Sequence, residues 1–307
     1  MSEPLLGTKK VTASALLTTV ALIAIVQAGS LLITTQNISL YPFIVNSSGT
    51  SANIAGAAGI SGTSAAGTAF DIIFLVAIAF GATLCLLWLV RHKMVTSFKL
   101  LIFGSMALAA FVLTLVTADS FAYNYLPLEL EAPASVAAAV AVVIVIGYTV
   151  FVKNRPWLSN IVIAFVGAEV GSFFAGTLSP LTSFPWTALL LPLAFAVYDI
   201  YAVFKGPLGR LIGASPGLAL NGMSVRLGEF TVGLGDVVFY TMLPSMALYY
   251  ISYSTGYISG VYASLVTMLI MDAGVALTLF LLSRRRLLPG LPIPMLLGVA
   301  VVALYLR

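Results

Sequence analysis

The chain has 307 residues, of which 61% are apolar and 8% charged, with a formal net charge of +4 and a mean hydropathy of +1.10. No ordinary soluble domain of this length has such a composition, so the solvent for most of the chain is lipid. The apolar runs are continuous and about twenty residues long, which excludes a transmembrane β-barrel with its short alternating strands and predicts an all-α polytopic membrane protein.

Nine apolar runs predict nine spans, at about 11–35, 69–90, 98–118, 133–152, 157–177, 183–204, 231–251, 257–282 and 289–306, forming one transmembrane domain over 1–307. The first run is too long, and too soon followed by others, to read as a cleaved signal peptide. Basic residues alternate from loop to loop. Lys9 and Lys10 precede the first span, and the next loop, 36–68, has no Lys or Arg. Arg91, Lys93 and Lys99 follow the second span; Asp119, Glu129 and Glu131 follow the third. Lys153 and Arg155 then give way to an uncharged loop, and Lys205, Arg210 and Arg226 to another. Arg284, Arg285 and Arg286 precede the last span, and only Arg307 falls on the other side. The positive-inside rule then puts the N-terminus in the cytoplasm and the C-terminus outside, which requires an odd number of spans. These cations are topology signals in short loops and do not build a nucleic-acid surface.

The loop 36–68 is rich in Ser, Gly, Ala and Asn, a composition expected of weakly ordered polypeptide. The stretch 205–230 carries Gly206-Pro207 and Ser215-Pro216-Gly217 turn signals, yet is apolar enough to lie on the membrane surface.

Two absences restrict the chemistry. The single histidine, His92, stands in the loop Arg91-His92-Lys93, so neither an H-E-x-x-H zinc helix nor an intramembrane serine–histidine pair can be built. The single cysteine, Cys85, lies in an apolar run and has no intrachain partner for a disulfide. Hydrolytic chemistry inside the bilayer would have to be done by carboxylates.

Asp199 lies five residues before the expected exit of the sixth span at Phe204, and Asp236 five after the expected entry of the seventh at Thr231. At 1.5 Å per residue both stand roughly 7–8 Å inside the cytoplasmic boundary. If the two helices are neighbours, equal offsets from their shared loop let the side chains face each other. Two carboxylates a few ångströms apart in low dielectric share one proton, the arrangement of an aspartic protease. Structural roles, satisfying a neighbouring helix or lining a polar cavity, are the competing reading. Gly233 and Gly235 flank Asp236 through Leu234 and are expected to let another backbone approach closely. Glu169 and Asp272 are also intramembrane, without matched partners, and are expected to make interhelical hydrogen bonds. Asp71, at the outer edge of the second span, reads as solvated. Pro289, Pro292 and Pro294 prevent a regular helix at the start of the last span, level with both aspartates.

Taken together, Tyr198-Asp199, Gly233-Leu234-Gly235-Asp236 and Pro289-Gly290-Leu291-Pro292 resemble the motifs of presenilins and signal peptide peptidases, the GxGD-type intramembrane aspartyl proteases. The expected orientation is similar to that of presenilins; signal peptide peptidases are inverted. The likeness of topology covers the whole chain, whereas the residue match is confined to the three motifs. The family has Pro-Ala-Leu where this chain has Pro289-Gly290-Leu291. The loop between the two aspartate spans is shorter than in eukaryotic presenilins, which suggests a simpler, prokaryotic or archaeal homologue without autocatalytic cleavage.

The resemblance implies hydrolysis of peptide bonds within transmembrane helices of other proteins in a cell membrane. Asp199 and Asp236 would be the catalytic pair, with Tyr198, Gly233, Leu234 and Gly235 as supporting positions. Pro289, Gly290, Leu291 and Pro292 would position substrate. It implies no metal and no organic cofactor, no nucleic acid, little need for accessory subunits, and compatibility with a homo-oligomer. Two alternatives remain at this stage. A cation- or proton-coupled transporter or channel could use the same carboxylates, although such sites usually lie near the midplane. A prepilin-peptidase-like enzyme shares GxGD but not Tyr198-Asp199 or nine spans.

Overall fold

In lipid the backbone has no hydrogen-bond partner but itself, so long apolar runs become helices. The computed structural model describes residues 13–48, 65–92, 94–152, 156–177, 187–205, 224–227, 230–284 and 289–305. Nine α-helices occur among them. They are α1 (Ala13–Ser48), α2 (Ala65–Arg91), α3 (Val95–Tyr125), α4 (Leu128–Gly147), α5 (Pro156–Thr177), α6 (Thr187–Phe204), α7 (Leu234–Thr255), α8 (Tyr257–Arg284) and α9 (Pro292–Tyr305). A π-helical turn, Tyr148–Val152, closes α4. Among the described residues, seven helices are long and apolar enough to cross a membrane, and two apolar helices are shorter, Leu189–Phe204 and Pro292–Tyr305.

Several helices outrun the apolar runs that announced them. Helix α1 continues to Ser48, so the first part of the Ser/Gly-rich loop is helical. Asp119 lies within α3, and Glu129 and Glu131 occupy the first turn of α4, where the helix dipole favours acids. Hydropathy marks the lipid-facing portion of a helix, whereas hydrogen bonding carries the helix past it. Asp71, Lys153, Arg155, Arg210, Arg285 and Arg286 fall outside the described residues or side chains.

The main correction concerns the entry to the seventh span. Phe230–Gly233 is not helix but strand β2, paired antiparallel with β1 (Ser224–Leu227), Val225 opposite Val232 and Arg226 opposite Thr231. Continuous hydrophobicity does not separate a buried strand from a helix entry. Thr231 and Val232 are β-branched, and Phe230 and Val232 turn inward while Thr231 turns out. The fold is therefore helical with one short hairpin.

Helix α7 is the pillar of the bundle: 72% of its apolar window is buried, against 11% for α2. It packs on α5, α8, α1 and α9. Missing side chains allow the approach. A Cβ on Gly171 of α5 would overlap Thr241 Oγ1 and lie 2.7 Å from the Val238 carbonyl oxygen. One turn earlier, a Cβ on Gly167 would lie 2.5 Å from Val237 Cγ1. Gly298 of α9 is likewise held close to Leu243 and Met271. Helix α1 contributes a buried stripe of Thr19, Ile23, Gln27, Ser30 and Thr34 at helical spacing, four of the five polar. Ser30 bonds Ser245 of α7, and Thr34 bonds Ser172 of α5 at 2.7 Å. Such interhelical bonds hold helices together where lipid supplies no hydrophobic drive.

Helices α6 and α7 are not packed along one another, as their shared loop had suggested. Helix α6 rests on α9 and α2, and α9 in turn on α8, α6 and α7. An aromatic contact joins α6 to α7, Phe195 to Phe239, with ring centroids 4.9 Å apart.

Candidate active site

The carboxylates each reach segment 289–291, from unequal offsets along their helices. Asp199 sits five residues before the end of α6 at Phe204, as expected. Asp236 is the third residue of α7, because the helix starts at Leu234 with Gly233 as its N-cap. From there its Oδ2 reaches back and accepts the Gly233 N–H at 3.1 Å. Satisfying an orphan amide of the first turn is an ordinary task for an acid at this position. Asp199 and Asp236 are both half-buried.

The segment 289–291 fills the gap between them. It has no helical structure, and α9 begins at Pro292, where a missing N–H costs nothing. The peptide group joining Gly290 to Leu291 is held at both ends. Its N–H donates to Asp199 Oδ2 at 3.1 Å, and its carbonyl accepts the Tyr240 hydroxyl at 3.0 Å. One peptide plane thus ties α6 to α7. Gly290 also abuts the second acid, since a Cβ there would lie 3.2 Å from Asp236 Oδ2. Pro289 and Leu291 are buried and Pro292 is partly buried.

The remaining motif residues have other surroundings. The Tyr198 hydroxyl is 3.0 Å from Thr83 Oγ1 on α2 and does not join the carboxylates. Leu234 packs toward Gly167 of α5. Neither motif glycine packs against a neighbouring helix among the described residues. Among the described residues, a Cβ on Gly235 would meet nothing within 4 Å, and one on Gly233 would meet the side chain of Asp236.

Glu169 accepts a hydrogen bond from Thr114 at 2.9 Å, joining α5 to α3, as an interhelical role requires. Asp272 is buried on α8, and its Oδ1 has no hydrogen-bond partner among the described residues. No group of three or more His, Cys, Asp or Glu among the described residues could hold a metal ion. Tyr240, which tethers the 290–291 peptide, is the site residue that sequence reasoning missed. Its place four residues, one helical turn, beyond Asp236 was the available signal.

No protein-family model matches this sequence, and no curated protein does. Among solved structures, the chain superposes on that of a presenilin family intramembrane aspartate protease in space group C222. The TM-score is 0.58 at 20% sequence identity, over 94% of this chain and 97% of the other. The fold is presenilin-like. Coverage of both chains almost end to end makes the presenilin-like architecture a property of the whole molecule rather than of one helical hairpin.

Proposed function

We propose that this chain is an intramembrane aspartyl protease with nine spans, N-terminus cytoplasmic and C-terminus outside, in which Asp199 and Asp236 are the catalytic pair. The observation that carries the reading is the 290–291 peptide, bonded to Asp199 at one end and lying against Asp236, so that both acids face one small volume. The presenilin-like fold supports it. One carboxylate, ionised, takes a proton from a water molecule, whose oxygen attacks the scissile carbonyl. The other, protonated, donates to the carbonyl oxygen and stabilises the charge that develops there. Collapse of the tetrahedral species breaks the C–N bond, and the proton taken from water leaves with the amine. No metal or organic cofactor enters this scheme.

The substrates are transmembrane helices of other proteins, which must unwind locally to expose a carbonyl. Hairpin β1–β2 ends at the N-cap of α7, beside Asp236, and among the described residues β2 pairs with β1 alone. An unwound substrate pairing as an added strand between this hairpin and segment 289–291 has its freed backbone groups satisfied. Among the described residues nothing lies against Gly235, which gives its backbone room. We take the protein to act in a cell membrane without accessory subunits, alone or as a homo-oligomer. A transporter using the same acids is disfavoured, because among the described residues Glu169 is bonded to Thr114 and no hydrogen bond links it to Asp199.

The direct test is to incubate the purified protein with a model transmembrane peptide, with and without an aspartyl-protease transition-state analogue. Cleavage blocked by the analogue is the expected result; an intact peptide overturns the proposal. Tyr240→Phe removes one hydroxyl and keeps the ring. It should lower kcat about ten-fold, roughly the worth of one hydrogen bond that orients the site. Steady-state cleavage kinetics check this, and an unchanged kcat would mean that the tether plays no part.

A further inference from the structure

Helix α7 carries Pro244 in its interior. Proline has no N–H, so the carbonyl four residues earlier, that of Tyr240, loses its helical partner. In lipid a freed carbonyl must be satisfied from a neighbouring helix. It is: Gln27 of α1 donates its Nε2 to the Tyr240 carbonyl at 3.1 Å, from a side chain that is fully buried. The amide has no other hydrogen-bonding task, since Gln27 Oε1 is without a partner among the described residues. A polar side chain wholly inside a membrane bundle is expensive, and here its one bond goes to the one carbonyl that the proline leaves bare.

Tyr240 is also the residue whose hydroxyl holds the Gly290 carbonyl. We propose that Gln27 is a positioning residue: by replacing the missing N–H of Pro244 it fixes the turn of α7 that carries Tyr240, and through Tyr240 it holds segment 289–291 against Asp199 and Asp236. This rests on the protease reading above. Without Gln27 the carbonyl finds a partner only if α7 bends or rotates at Pro244. The phenol then moves away from Gly290, and the 290–291 peptide loses one of its two anchors. Gln27 touches neither acid and acts only through Tyr240.

The claim has a specific signature, because Pro244→Ala returns the backbone N–H and makes Gln27 dispensable. Full-length wild type, Gln27→Leu, Pro244→Ala and the double variant are compared with a model transmembrane peptide as substrate. Hydrogen exchange is measured in parallel over residues 289–295. Gln27→Leu should lower kcat about ten-fold with KM within about two-fold, the pattern of a lost orientation rather than lost binding. Exchange of 289–295 should rise with it. The double variant should return to within about three-fold of Pro244→Ala in rate, and exchange should fall back. Gln27→Asn, whose amide is too short to reach Tyr240, replaces the leucine variant if that one does not fold. A wild-type kcat in Gln27→Leu, or a loss equally deep in the double variant, overturns the proposal. If the wild type does not cleave while exchange still follows this cycle, the fault is in the protease reading and the Gln27–Tyr240 coupling stands.

Discussion

Asp199→Asn and Asp236→Asn should each reduce cleavage of a transmembrane peptide by about a thousand-fold or more, while leaving a folded protein. Asparagine is the informative replacement because both acids also serve as acceptors. Asp199 receives the Leu291 N–H and Asp236 the Gly233 N–H. An asparagine carbonyl oxygen can keep either bond, so scaffolding survives and only proton transfer is removed. General acid and general base steps each contribute about 10² to 10⁴ in rate, and residues that act as a unit lose most of the total when one is deleted. The measurement is turnover of the peptide alongside a melting curve in detergent. Either variant keeping more than about a tenth of wild-type turnover would remove its acid from the mechanism.

Gly171→Val should be strongly destabilising. The first added carbon overlaps Thr241 Oγ1 and lies 2.7 Å from the Val238 carbonyl oxygen, and the backbone of α7 cannot turn aside as a side chain could. Overpacking of this kind costs about 3 kcal/mol, or more where backbone is involved. The helix that must move is the one carrying Asp236. Gly235→Ala is the control: among the described residues nothing lies within 4 Å of the added carbon, so stability should stay within about 1 kcal/mol of wild type. Thermal unfolding of the two variants side by side checks both. A Gly171→Val protein as stable as wild type would mean that α5 and α7 are not packed as described.

The features legible in the sequence and those that are not divide along physical lines. Asp199 and Asp236 stood out because a carboxylate in an apolar run is costly, and segment 289–291 because prolines interrupt a helix whatever surrounds it. Among the described residues each apolar run holds a helix for the same reason, hydrophobic length being a local property, although two of those helices are shorter than a span. Hairpin β1–β2 escaped because Phe230–Gly233 is as apolar as the helix it introduces. Its signal was the β-branched pair Thr231-Val232 after Phe230, with Val225 a few residues earlier. Long-range contacts were beyond reach. That α9 would lie between α6 and α7, that Gly167 and Gly171 would seat α7, and that Gln27 would answer Pro244 are pairings across 50 residues or more, which no periodicity within one helix encodes. The equal offsets expected for the two acids are not what the helices have: Asp199 lies five residues before the end of α6, whereas Asp236 is the third residue of α7. The non-helical segment 289–291, rather than direct contact between α6 and α7, makes up the difference.

The amide of Leu291 is a single donor with a single acceptor, Asp199 Oδ2. An incoming strand that claims that N–H competes with the carboxylate for it. Whatever free energy binds the strand there is coupled to release of the acid, and by thermodynamic reciprocity a released acid favours the strand. Loading and arming of the site are in this sense two faces of one equilibrium, governed by which of two oxygens a lone backbone proton points toward.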